Sequence, residues 1–108
     1  MGLEEGAKGA LTVTAVIANL FASQTTLKHY STWIFFHNLV SGDSIEITIH
    51  VNDPQDVTER IYDKFTVADA QSEPGVFIPF LPTDSFRIEA QKLTGIDREI
   101  TWVRYESN

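Results

Sequence analysis

The clearest pattern in the chain lies over Ser44–Asn52, where Ile45, Ile47, Ile49 and Val51 alternate with Glu46, Thr48, His50 and Asn52. Successive side chains on a strand point to opposite faces, so this run predicts a half-buried β-strand. It follows the turn residues Ser41-Gly42-Asp43 and stops at Asp53-Pro54. Ser85–Leu93 repeats the pattern, with Phe86, Ile88 and Ala90 set against Arg87, Glu89 and Gln91. Glu99–Tyr105 sets Ile100 and Trp102 against Thr101, Val103 and Tyr105. Glu59–Val67 gathers Ile61, Phe65 and Val67 on one face, with Asp63 as the exception, and Arg60, Tyr62, Lys64 and Thr66 on the other. Leu11–Ile17 alternates weakly, and Leu20–Thr26 reads as a second strand or an irregular extension.

Short connectors rich in Gly, Pro, Asx and Ser separate these runs, among them Glu73-Pro74-Gly75, Pro82-Thr83-Asp84 and Thr94-Gly95-Ile96-Asp97. Residues 67–72 admit a helical turn, and nothing longer reads as helix. Val, Ile and Thr total 29, against 16 for Ala, Leu and Met. β-Branched side chains lose rotamer freedom in helices and pack well on pleated surfaces. The expected fold is all-β, an antiparallel β-sandwich or jelly roll of about 7–8 strands. Residues 1–10, with three Gly and two Glu, read as a flexible tail, and residues 11–108 as a single β-sandwich domain.

Two segments depart from the half-buried pattern. Tyr30–Asn38 carries aromatics on both faces, with Tyr30, Thr32, Ile34 and Phe36 on one and Ser31, Trp33, Phe35 and His37 on the other. Val76–Leu81 sets Val76, Ile78 and Phe80 opposite Phe77, Pro79 and Leu81. A central strand covered on both faces explains the first equally well as a contact surface does. Pro79 lacks a backbone N–H, which places the second segment on a sheet edge or at a bulge. An apolar edge needs cover, and a second copy of the chain supplies it economically. Trp33, Phe35, Phe77, Pro79, Phe80 and Leu81 are therefore the expected homo-oligomer contacts.

Charge narrows the partners. The 8 Lys and Arg against 15 Asp and Glu leave a net charge of −7. The cations are scattered, so neither a nucleic-acid backbone nor an anionic membrane finds a basic face. With no cysteine, disulfides, thiolate metal sites and thiol nucleophiles are excluded. The acidic start does not read as a signal peptide, and the uncharged stretch Gly9–Leu27 is too polar for a spanning helix.

Candidate chemistry is thin. His29, His37 and His50 fall in separate segments without ligand spacing, although a short turn would let His37 and His50 meet across paired strands. Asn52, Asp53, Asp56 and Glu59 crowd one loop and offer oxygens to calcium, but in no calcium-loop pattern. Glu46, Glu89 and Glu99 sit on polar strand faces, where paired carboxylates for glycoside hydrolysis would align. No nucleophile elbow, phosphate loop or dinucleotide fingerprint is present. The reading is of a non-enzyme with no catalytic residue, metal or cofactor.

Thr32-Trp33-Ile34, then Asn38 through Ile45, then the alternating strand ending in Asn52-Asp53 resemble small β-sandwich proteins of tailed viruses of bacteria and archaea. Ser72-Glu73-Pro74 through Ile78-Pro79 and Ile100-Thr101-Trp102 fit the same picture. The resemblance implies a virion-surface building block: a capsid decoration, turret or minor tail protein that forms a homo-oligomer such as a trimer and docks on other virion proteins. No site residue carries over. In that setting Gly9–Leu27 is a candidate arm that adds a strand to a neighbour. The competing expectation is a monomeric module that binds glycans or cell surfaces through exposed aromatics.

Overall fold

Among the described residues the alternating segments form eight strands and no helix. The computed structural model describes residues 4–53, 55, 58–71, 75–83 (backbone alone at 80–82) and 85–107. The strands are β1 Glu4–Val13, β2 Ala18–Asn19, β3 Lys28–Phe35, β4 Ser44–Asp53, β5 Thr58–Ala68, β6 Gly75–Thr83, β7 Phe86–Thr94 and β8 Arg98–Ser107. They make two four-stranded antiparallel sheets, one ordered β1-β8-β3-β6 and the other β2-β7-β4-β5. The first strand pairs with the last, the second with the seventh, the third with the sixth and the fourth with the fifth. This is one long hairpin folded over itself into a sandwich, the jelly-roll arrangement. No helix among the described residues is long and apolar enough to cross a membrane.

The core follows the predicted alternation. Ile45, Ile47 and Ile49 of β4, Phe86, Ile88 and Ala90 of β7, and Ile100 and Trp102 of β8 are buried between the sheets. Tyr30 and Ile34 of β3 face them, with Tyr30 stacked on Phe86 at 5.2 Å between ring centroids. Phe21, from the β2–β3 connection, closes one end. It packs on Trp102 at 4.9 Å, and the Arg104 guanidinium lies 4.8 Å over its ring.

Several expectations change. Residues 4–10, read as a flexible tail, belong to β1 and pair with β8 from Glu4 onward. Gly9–Leu27 is not a free arm: Gly9–Val13 pair with β8, and the amides of Leu20 and Gln24 bond β7 carbonyls of the same chain at 2.9 Å. No helical turn forms over the described part of 67–72; Asp69 instead takes a left-handed φ of 62°. Ile61, placed with Phe65 on the core face, is 55% exposed. A bulge at Tyr62 shifts the pairing between Ile49↔Asp63 and His50↔Ile61. One extra residue reverses the facing of everything before it, so Ile61 turns outward opposite His50, while Asp63 keeps the phase of Phe65 and Val67 opposite Ile49.

One end of the sandwich is held by Asp43, which is 4% exposed. Its carboxylate accepts from the Val40 amide at 2.9 Å, Arg98 Nε at 2.8 Å and the Ile96 amide at 3.4 Å. Its carbonyl accepts the Asp69 amide at 2.8 Å, and Asp69 Oδ1 accepts the Gly42 amide at 2.8 Å. Three sheet-to-sheet connections are thereby tied to one residue, two of them through its side chain and one through its carbonyl. The Val40 amide, with Arg98 after it, holds the Asp43 carboxyl below its usual range.

Gly42 and Gly95 both have positive φ, 94° and 88°. A Cβ at Gly42 meets nothing within 4 Å, whereas one at Gly95 would lie 2.2 Å from Asp43 Oδ1. Gly42→Ala should cost about 1 kcal/mol of backbone strain, and Gly95→Ala clearly more, as read by urea unfolding. Because the folded pKa of Asp43 is depressed, its stabilisation is present above the unfolded aspartate value of about 3.9 and is lost as pH falls through the lower folded value. Asp43→Asn should therefore melt below the wild type at pH 6, with the gap closing below about pH 3. A gap that persists in acid would contradict this.

Candidate functional site

The two outward faces of the sandwich differ in chemistry. On the β2-β7-β4-β5 sheet, the outward residues around His50 are polar and interlocked, with Ile61 as the apolar exception. Arg87 on β7 donates from Nε to Glu59 Oε2 at 2.7 Å, from Nη1 to Asn19 Oδ1 at 3.2 Å, and also to Glu89. His50, between them on β4, has Nδ1 3.5 Å from Glu59 and Nε2 2.6 Å from Glu89. That second approach is too far out of line to be a hydrogen bond. Arg87 lowers the pKa of Glu59, and its own is raised by the same contact. A glycosidase acid needs the opposite, a carboxyl pushed up so that it keeps its proton. Here Arg87 ties both carboxylates into ion pairs.

The acids expected to align are divided. Glu46 and Glu89 share this face, whereas Glu99 belongs to β8 in the other sheet. His37 and His50 do not meet, because the β3–β4 connection crosses between sheets instead of closing a hairpin. In the acidic loop, Asp53 is held by Arg60 at 3.0 Å and by the Gln55 amide at 3.0 Å, while Glu59 is held by Arg87. Asp56 lies outside the described residues. Among the described residues no three His, Asp or Glu converge on a metal-sized site.

The outer face of the β1-β8-β3-β6 sheet is aromatic at its centre. β3 is a central strand, and its inward positions fill the core, which turns Trp33 and Phe35 outward. Their rings stack 5.9 Å apart at 12°. Phe77, paired with Trp33 from β6, closes to 4.9 Å at 46°. Gly75 makes room for them: a Cβ there would lie 3.3 Å from both Trp33 and Phe35. Trp33 is 37% exposed and Phe77 39%, so the cluster faces solvent in the isolated chain.

Pro79 is exposed on the same strand, and β6 is an edge, as the missing N–H requires. The β3–β6 register slips between Tyr30 and Thr32, which sets Pro79 and Phe80 against Ser31 as a bulge. Phe80 and Leu81 lie in β6, and their side chains are outside the described residues. Between the free edges β5 and β6 runs a groove of about 270 Å³, floored by Ile49 and walled by Tyr62, Asp63, Phe65, Val76, Phe77 and Pro79. Phe77 belongs to both cluster and groove, which makes them one surface. The groove was missed in the sequence because the bulge at Tyr62 that opens its β5 wall has no Gly or Pro to mark it.

Of the remaining tryptophan and tyrosines that a glycan could stack on, Tyr30 and Trp102 are buried, while Tyr62 is exposed and Tyr105 half-buried. Trp33 and Trp102 are the chain's two tryptophans and occupy opposite situations. Trp33→Ser should cost about 1–2 kcal/mol, and Trp102→Ala about 3–5 kcal/mol, in chemical unfolding. No family model, curated protein or solved structure matches the chain.

Proposed function

We propose that this chain is a non-enzymatic assembly protein that works by associating with copies of itself, as a virion component such as a capsid decoration, turret or minor tail protein. The observation that carries the reading is the outward cluster of Trp33, Phe35 and Phe77, continuous with the β5–β6 groove. Exposed aromatic surface of this kind marks interaction sites on soluble proteins, and aromatic residues are enriched where interfaces are fully buried. Glu59 and Glu89 are engaged by Arg87, and Asp53 by Arg60. The jelly roll is a common scaffold of viral coats, which supports the virion setting by fold analogy alone. Lectins use the same scaffold, and a Trp33–Phe35 pair also suits stacking on a sugar.

Light scattering over a dilution series should return a multiple of the monomer mass of 12.1 kDa. In a Trp102→Phe variant Trp33 is the sole tryptophan, and its quenching by iodide should fall as protein concentration rises. A monomer at every concentration, with Trp33 always quenchable, would overturn the reading. Protection of Trp33 by oligosaccharides alone would put the glycan-binding module in its place.

A further inference from the structure

We propose that the second copy docks face to face on the outer surface of the β1-β8-β3-β6 sheet, as a two-fold pair, and not edge to edge. This rests on the assembly reading above and names its partner and geometry. Each free edge is blunted against strand addition. β6 carries Pro79 and a bulge, β5 carries the Tyr62 bulge with Asp63 and Lys64 beside it, and β1 carries a bulge at Gly6. The remaining edge strand, β2, has two residues.

Of the two faces, only one can be buried cheaply. Covering the other would desolvate the Glu59–Arg87–Glu89 ion pairs. The centre of the aromatic face, where Trp33 pairs with Val103 and Phe35 with Thr101, has no charged side chain. Its charges lie toward the margin: Lys8 and Glu5, of opposite sign and 3.9 Å apart on β1, and Glu99 at the start of β8. In a chain of net charge −7, a face whose centre carries no charge lets two copies approach there with little repulsion. Four strands of 8–10 residues span roughly 19 by 30 Å. That footprint suits a standard interface of about 800 Å² of accessible surface per partner. A single self-complementary patch closes as an isologous pair, whereas a ring needs two different patches.

Light scattering of the full chain and two variants tests this. Val103→Lys puts a charge at the centre of the face, and Thr66→Lys puts one on the exposed β5 edge strand, outside the groove. The wild type should be a dimer, Val103→Lys should weaken it by about 100-fold or more, and Thr66→Lys should leave it unchanged. Circular-dichroism melts verify folding, and Thr101→Lys replaces Val103→Lys should the latter not fold. If Thr66→Lys dissociates the assembly and Val103→Lys does not, the face geometry is wrong while self-assembly stands. A wild type that is monomeric throughout overturns both.

Discussion

Asp43 is the point on which the loop end of the sandwich depends. The two sheets are joined by chain segments that cross between them, and crossings of this kind leave backbone amides without ladder partners. Asp43 accepts amides from the β3–β4 and β7–β8 connections through its carboxylate, and the Asp69 amide after β5 through its carbonyl. Arg98, at the start of β8, supplies the countercharge. A charge this buried is tolerated because every approach to it is a donor. The glycine at position 95 follows from the same geometry, since no side chain fits against the carboxylate there.

The strands were legible because burial on one face imposes a period of two. Ile45–Val51, Phe86–Ala90 and Ile100–Trp102 face the core as their alternation requires. Pro79 marked an edge and a bulge through its missing N–H. β1 was hidden in Glu4–Ala10 because most of those residues are exposed on a sheet edge, so its apolar pattern is weak and its Gly and Glu read as tail. Ile61 was misplaced for a related reason: the bulge at Tyr62 shifts the phase of a strand in a residue type that gives no warning. The partnership of strands was out of reach, since it depends on connections that cross the sandwich, and His37 and His50 were joined on the assumption of a hairpin that does not exist.

The site was half legible. Aromatics on both faces of one segment flagged Trp33 and Phe35, and the pattern left open whether a covering layer or a partner explained them. With β3 central and the core on its inner side, the outward pair has no cover within the described chain. The contrast between faces is what composition could not show. Charge is spread along the sequence, yet folding gathers the Glu59–Arg87–Glu89 ion pairs on one outward face and leaves the centre of the other outward face without charge.

Pairing the first strand with the last has a kinetic consequence. The β1–β8 ladder joins residues from Glu4–Glu106 to Val13–Arg98, so nearly the whole chain must be brought into place before it closes. Proteins dominated by such distant pairings fold in milliseconds to seconds, far slower than those built from local contacts. During synthesis β1 emerges long before its partner and waits with its hydrogen-bonding groups unsatisfied. A polar, glycine-containing first strand, with Lys8 and two glutamates, is suited to that wait because it offers little apolar surface for a premature match.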